Sequence, residues 1–120
     1  MEYRRLCETD YRFLSVLWDN EPLTSAKLVE LCGERFGWKK STTYTMIKKL
    51  SEKGFVKSEK TVVTYLIPRS QVQGRESELF MRQTFNDSLP GFLAAFLGGR
   101  TIPAEEAEEL KRLIDEHREA

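Results

Sequence analysis

The sequence predicts a mainly α-helical protein with a small β-hairpin, divided into two parts near Pro68. Apolar residues recur at helical spacing before residue 54 and again after residue 69. Between these stretches, residues 55–67 are rich in the β-branched and aromatic residues that favour strands. Charge divides as well, because residues 1–68 hold 12 Lys and Arg against 9 Asp and Glu, and residues 69–120 hold 7 against 10. Two parts of opposite charge balance indicate two different functions.

Two helices are predicted before residue 38. The first, at residues 10–19, ends before Pro22, because a proline disfavours helical geometry in the residue that precedes it. Thr24 is well placed to cap the second helix, and Gly37 is well placed to end it. The predicted apolar face of the second helix consists of Leu28, Leu31, Cys32 and Phe36.

A third helix is predicted at about residues 41–53, with Ser41 as its N-cap and Gly54 as its stop. The residues at inward-facing positions are Thr43, Met46, Ile47 and Leu50. The runs "FVKSE" and "TVVTYLI" follow and predict a hairpin that closes at Pro68. Three helices followed by a hairpin is the order of a winged helix-turn-helix domain, expected here over residues 1–68.

The outward side of the third helix carries hydroxyl groups and lysines. Ser and Thr lower helix propensity, so their presence on an exposed surface indicates a function other than stabilising the helix. Hydroxyl groups reach base edges in the major groove, and lysines neutralise phosphates. The segment 39–60 holds seven lysines against Glu52 and Glu59. The predicted DNA-binding residues are Lys39, Lys40, Ser41, Thr42, Thr43, Thr45, Lys48, Lys49, Lys57 and Lys60, with Thr43 belonging to the inward-facing set as well.

Two other interpretations of this helix stay open. The polar side could be a solvated surface, although Ser and Thr are weak helix formers for that purpose. The domain could also be a protein-interaction module that does not bind specific DNA, an alternative favoured by the zero net charge and by a hairpin tip, "KTVVT", that is poor in charge.

The second part, residues 69–120, predicts helices at residues 70–87 and 88–98 and a third from Pro103. Their apolar stripes are too wide for a soluble monomer, so a homodimer is expected, the alternative being an arm folded back on its own winged helix. The predicted dimerisation residues are Leu79, Phe80, Phe85, Leu89, Phe92, Leu93, Phe96, Leu97, Leu110, Leu113 and Ile114.

Several functional classes are not expected. The one histidine, His117, lies near the C-terminus, and neither a phosphate-binding glycine loop nor a nucleophile motif is present, which argues against an enzyme. We expect no cofactor and no metal site. No apolar run reaches the ~18 residues of a membrane span. The two cysteines, Cys7 and Cys32, make no disulfide framework, so a cytoplasmic location is expected.

Four stretches resemble the penicillinase-repressor (BlaI/MecI/CopY) family: "VLWDNEPLTSAKLVEL", "GWKKSTTYTMIKKLSEKG", "SEKTVVTYLIP" and "IPAEEAEELKRLI". Members of that family are dimeric winged-helix repressors that bind dyad operators in double-stranded DNA. The resemblance implies that Ser41, Thr42, Thr45 and Lys49 meet the major groove. It also implies that the C-terminal helices form a dimerisation arm.

This sequence departs from the pattern of that family at two places, the cleavage site in the arm and the turn of the wing. In its β-lactam branch a membrane sensor metalloprotease cuts the arm between an Asn and a Phe, and the corresponding bond here joins Ala95 to Phe96, so the Phe is present and the Asn is not. The resemblance thus implies a sensor protease as a partner and Ala95–Phe96 as the cleavage site. The family's wing turn commonly holds Gly and Arg, where this chain has Val62 and Val63.

Overall fold

A computed structural model describes residues 6–120, and the predicted mainly α architecture with a small β-sheet is confirmed. Residues 1–5, which the expected first domain includes, lie outside the described residues. In chain order the elements are α1 (Glu8–Asn20), β1 (Leu23–Thr24), α2 (Ser25–Phe36), α3 (Lys40–Glu52), β2 (Val56–Glu59), β3 (Val62–Tyr65), α4 (Arg69–Phe85), α5 (Leu89–Leu97) and α6 (Ala104–Glu116).

The chain forms two compact units, the first ending at Phe80 and the second running from Met81 to Ala120. The expected boundary at Pro68 marks the end of the sheet rather than the end of the first unit. The reason is Val72, which lies near the start of α4 and is fully buried in the core of the first unit. The helix therefore begins as part of the winged-helix core.

The first unit has one core, built from the apolar faces of the first three helices, from the sheet and from the start of α4. Its members are Leu6, Phe13, Leu14, Val16, Leu17, Leu23, Leu28, Cys32, Met46, Ile47, Leu50, Phe55, Val56, Val63 and Val72. The predicted cap and stop residues mark the two ends of α2. Thr24 Oγ1 accepts a hydrogen bond from Lys27 N (3.1 Å), and Gly37 ends α2 in the left-handed region at φ 70°.

The start of α3 differs from the prediction, because the helix begins at Lys40 and Ser41 does not cap it. Lys39 is the N-cap, in extended geometry, and its carbonyl accepts hydrogen bonds from Thr42 N (3.0 Å) and Thr43 N (3.3 Å). The helix has thus already started when the chain reaches Ser41. The Lys39 side chain does not cap this end of α3, so no capping side chain from the N-cap residue satisfies its first amide groups.

The sheet contains a third strand that the sequence did not predict. The strands are antiparallel in the order β1-β3-β2, and β1 pairs Leu23 with Val63 and Thr24 with Val62. A strand of two residues is too short to show alternation of apolar and polar side chains, so its sequence does not predict it. It attaches the start of α2 to the hairpin, where Ser25 N donates to Thr61 O at 2.8 Å.

The hairpin turns at Lys60 and Thr61, both in the left-handed region at φ 49° and 66°. Glu59 and Val62 face each other across this two-residue turn. The expectation that Val62 and Val63 lie at the tip is therefore wrong. Both valines belong to β3, and Val63 is fully buried, as expected for a valine that packs on the body of the domain.

The second unit contains the end of α4, then α5 and α6. The Ser88 side chain caps α5 by accepting a hydrogen bond from Gly91 N (3.0 Å). Rings pack edge to face between Phe85 and Phe92, whose centroids lie 5.3 Å apart, and in stacked geometry between Phe92 and Phe96 at 5.9 Å. None of residues 81–120, all of which the structure describes, is buried. Across residues 6–120, no helix combines the length and the apolar character needed to cross a membrane.

Candidate DNA-binding surface

The helix α3 has one buried side and one exposed side, as its periodicity predicts. The buried residues are Thr43, Met46, Ile47 and Leu50. The exposed residues at or beside the helix are Lys39, Lys40, Ser41, Thr42, Tyr44, Thr45, Lys48 and Glu52. Because α2 and α3 with the turn between them form a helix-turn-helix, the exposed side of α3 is the surface that such a motif presents to a major groove.

Thr43 does not belong to this exposed side, so its inclusion among the DNA contacts is corrected. Its side chain is completely buried, and among residues 6–120 its Oγ1 meets only the weakly hydrogen-bonding thiol of Cys32. It lies three residues before Met46, on the stripe that packs into the core. A side chain without solvent exposure has no path to a base edge.

The centre of the exposed side is a stripe of Ser41, Thr45 and Lys48, spaced four and three residues apart. Thr42 flanks this stripe. Within residues 6–120, the ammonium groups of Lys39, Lys40 and Lys48 make no ion pair, so their charges are not neutralised locally. The stripe thus combines short hydroxyl groups with uncompensated positive charge.

Lys49 is in a different position, because its ammonium group is bound to a buried carboxylate. Lys49 Nζ donates to Asp10 Oδ1 at 2.8 Å, and Lys53 Nζ lies 3.7 Å from Asp10 Oδ2. Asp10 is near the start of α1 and is only 1% exposed, whereas the Lys49 side chain is 40% exposed. Cys7 N also donates to Asp10 Oδ2, at 3.2 Å. One carboxylate therefore attaches the start of α1 to the second half of α3.

The protonation of this pair follows from its contacts. Burial by itself raises the pKa of Asp10, but the hydrogen bonds from Lys49 and from the backbone of Cys7 outweigh it and lower the pKa below its ordinary value. The hydrogen bond to Asp10 likewise raises the pKa of Lys49. Both groups are charged near neutral pH, so the contact is an ion pair.

Tyr44 is an exposed residue of this surface that is absent from the residues predicted to bind DNA. It is 42% exposed, and Lys40 Nζ lies 5.9 Å from the centroid of its ring. Its hydroxyl lies 3.5 Å from Ser25 Oγ, at the start of α2. The available signal was its position four residues after Lys40 and four before Lys48, which places all three along one flank of the helix.

The two lysines predicted for the wing occupy different electrostatic environments. Lys57 Nζ lies 3.2 Å from Glu59 Oε2, and both side chains are largely exposed, so the charge of Lys57 is partly offset by its neighbour. Lys60 is exposed at the hairpin turn. Lys60 is therefore the wing residue best placed to meet a phosphate.

The two cysteines differ in their exposure. Cys32 is buried in the core, and burial raises the pKa of its thiol. Cys7 is exposed. In the part of the chain that the structure describes, no three His, Cys, Asp or Glu side chains are grouped so that they could hold a metal ion.

Comparison with known proteins identifies the family. The model of the penicillinase repressor family matches residues 6–116, which is nearly the whole chain. The chain belongs to the penicillinase repressor family. The resemblance seen in the sequence is thereby confirmed, and so is membership of a family of transcriptional repressors. Such families are generally not enzymes, in agreement with the function class expected from the sequence.

The relatives of this family member are distant but are matched over almost their full length. It is 22% identical over 118 residues to a penicillinase repressor of Bacillus licheniformis, covering 95% of this chain and 92% of the relative. It is 19% identical over 114 residues to the methicillin resistance regulatory protein MecI of Staphylococcus aureus strain Mu50, covering 92% and 93%. The MecI protein of Mammaliicoccus sciuri is 18% identical over the same length.

From the burial of Thr43 we predict the stability and the DNA affinity of a Thr43→Val variant. Thr43→Val keeps the shape of the side chain and removes a buried hydroxyl that has no strong hydrogen-bond partner, since the Cys32 thiol beside it is a weak one. The free energy of unfolding, measured by urea denaturation, should rise by ~1 kcal/mol, since an unsatisfied buried polar group costs about 1–3 kcal/mol. Binding to DNA should not change. A changed DNA affinity in a folded variant would contradict the assignment of Thr43 to the core, and a loss of stability would show that its buried hydroxyl is hydrogen-bonded.

Proposed function

We propose that this protein is a dimeric transcriptional repressor that binds a dyad operator in double-stranded DNA through the exposed side of α3. The observation that carries the proposal is the stripe of Ser41, Thr45 and Lys48, which lies opposite the buried side of the second helix of a helix-turn-helix. The family to which the chain belongs, and the repressor names of its relatives, support the same function.

In this proposal the hydroxyl side chains read bases and the lysines bind phosphates. Ser41, Thr42 and Thr45 face the major groove, where a threonine methyl group also contacts thymine methyl groups. Lys39 and Lys40 lie at the start of α3, where uncapped amide groups and the helix dipole attract a phosphate. Tyr44 adds a hydroxyl and an aromatic ring at the edge of the same surface.

The wing completes this surface with fewer charges. Lys60 at the turn is proposed to contact the backbone beside the groove, with Lys57 contributing less because Glu59 lies next to it. Ser25 N binds the turn through Thr61 O, and Tyr44 approaches Ser25, so wing and α3 are connected through the start of α2. This arrangement would set the distance between groove and backbone contacts.

We predict that Lys48→Ala weakens operator binding because a contact with the DNA phosphate backbone is lost. We predict that Thr45→Val changes the preference for particular bases. Loss of one phosphate contact should reduce the slope of log K against log salt concentration by about 0.9, whatever the DNA sequence. Loss of one hydroxyl should alter discrimination between bases by ~1–3 kcal/mol and leave the slope unchanged. Fluorescence anisotropy on the protein's own upstream DNA, across a salt series with unrelated DNA as competitor, measures both quantities.

Thr43→Val is the matched control for Thr45→Val, because the same substitution is made on the buried side of the same helix. Wild-type binding that is weak and insensitive to salt and sequence would favour the protein-interaction module over the repressor. Equal behaviour of Thr45→Val and Thr43→Val on all DNA sequences would remove Thr45 from base recognition.

The second unit supports the dimer, because it has apolar side chains and no buried core. Leu89, Phe96, Leu113 and Ile114 are each more than half exposed. A groove of about 450 Å³ is lined by Leu89, Leu113, Ile114 and His117. The other predicted dimerisation residues of this unit, Phe85, Phe92, Leu93, Leu97 and Leu110, are half-buried. Leu79 and Phe80 belong to the end of the first unit. A second copy would cover these apolar side chains.

We predict that Phe96→Asp shifts the protein from dimer to monomer, because it places a charge within this apolar surface. Sedimentation equilibrium measures the mass, and Phe96→Leu, which keeps the apolar character, serves as the control. Operator affinity should fall together with dimerisation, since two linked half-sites are bound more tightly than one. An unchanged dimer mass for Phe96→Asp would place the interface elsewhere.

We also propose that repression is relieved by proteolysis between Ala95 and Phe96. Both residues lie in the last turn of α5, just before Gly98 and Gly99, with the Arg100 guanidinium 4.9 Å from the Phe96 ring centroid. Proteases act on extended backbone, so a membrane sensor metalloprotease would have to unwind this last turn. Gly98 and Gly99 make the turn easy to unwind.

A chain that ends at Ala95 mimics the cleaved product and lacks all of α6. It should dimerise weakly and lose operator affinity, because the apolar residues of α6 no longer contribute to the interface. Sedimentation and anisotropy measure the two effects. Operator affinity equal to that of the full chain would remove proteolysis at this bond as a means of relief.

A further inference from the structure

We infer that Asp10 is a positioning residue that withholds Lys49 from the DNA backbone. The inference rests on the proposed function and concerns two neighbouring lysines in the same helix. Lys48 is exposed and makes no ion pair with residues 6–120, whereas Lys49 donates to Asp10 Oδ1 at 2.8 Å. The sequence predicts both lysines as DNA contacts, and the family resemblance places Lys49 at the major groove, whereas the structure binds Lys49 to Asp10 and leaves Lys48 exposed.

The contact is more important to Asp10 than to Lys49. Asp10 is 1% exposed, and its carboxylate depends on Lys49, on Lys53 at 3.7 Å and on the amide of Cys7 for compensation. A buried carboxylate that loses its main partner is left as an uncompensated charge in a poorly solvated position, which is strongly unfavourable. Lys49 could be solvated if released, because its side chain is already 40% exposed.

A DNA phosphate therefore competes with Asp10 for Lys49 at a disadvantage. Phosphate contacts by Lys48 or by Lys39 displace only water and counterions, whereas a contact by Lys49 must also break the ion pair with Asp10. The favourable entropy of counterion release comes from lysines whose charge is free to attract counterions. Lys49, neutralised within the protein, contributes little to it.

The same contact gives Asp10 a second effect on the surface. It bonds the start of α1 to Lys49 and to Lys53, near the end of α3, and so helps to hold the orientation of the helix that presents Ser41 and Thr45. Keeping Lys49 off the backbone also lowers sequence-independent affinity relative to operator affinity. Asp10 thus favours specificity over total affinity.

The test compares salt slopes for wild type, Lys48→Ala, Lys49→Gln, Asp10→Asn and the double variant Asp10→Asn with Lys49→Gln. The slope for Lys49→Gln should equal that of wild type, and the slope for Lys48→Ala should be smaller by about 0.9. Lys49→Gln keeps a hydrogen-bond donor for Asp10. Asp10→Asn should increase the slope and raise affinity for unrelated DNA, because Lys49 is released together with Lys53. Adding Lys49→Gln in the double variant should remove about 0.9 of that increase.

Each outcome bears on the inference or on the proposed function. If Lys49→Gln reduces the slope as much as Lys48→Ala does, Lys49 contacts a phosphate and the inference is wrong. If Asp10→Asn is folded by circular dichroism and leaves the slope unchanged, the inference is also wrong. Should Asp10→Asn not fold, the comparison of Lys49→Gln with Lys48→Ala decides by itself. A wild-type protein without steep salt dependence would instead overturn the proposed function.

Discussion

The burial of one side of α3 is the constraint on which the rest of this protein depends. Met46, Ile47 and Leu50 pack into the core of the first unit, and Thr43 goes with them. Because the helix is rigid and repeats every 3.6 residues, burying these positions turns Ser41, Thr45 and Lys48 outward. The proposed DNA-binding surface is thus a consequence of packing on the opposite side of the helix.

Electrostatics then decides which of the outward lysines have a charge available for the proposed contacts with DNA. The chain has no net charge, yet seven lysines lie between residues 39 and 60. Their environments differ, since Lys49 and Lys53 face the buried Asp10 and Lys57 faces Glu59, whereas Lys48 makes no ion pair within residues 6–120. A count of charges would overestimate the positive surface available to phosphates. Ion pairs within the protein concentrate it near the start of α3 and at Lys48.

The second unit differs from the first because its helices form without a buried core of their own. Short helices in water are marginal unless an apolar side is covered. Edge-to-face and stacked rings connect Phe85, Phe92 and Phe96, but large parts of Leu89, Leu113 and Ile114 stay exposed. In the proposed dimer the same contacts that complete this unit would also pair two winged helices for a two-fold operator, so stability of the arm and DNA binding would be linked.

The sequence by itself determined the features that depend on neighbours within a few residues. Helical and strand periodicity, the Thr24 cap, the Gly37 stop and the outward position of Thr45 all follow from such local rules, and the structure confirms them. Only the tertiary structure decided the contacts between distant residues. Strand β1 exists because β3 pairs with it, and Lys49 is neutralised because Asp10, 39 residues earlier, is buried beside it. No local pattern contains that information, since it arises only when the helices pack.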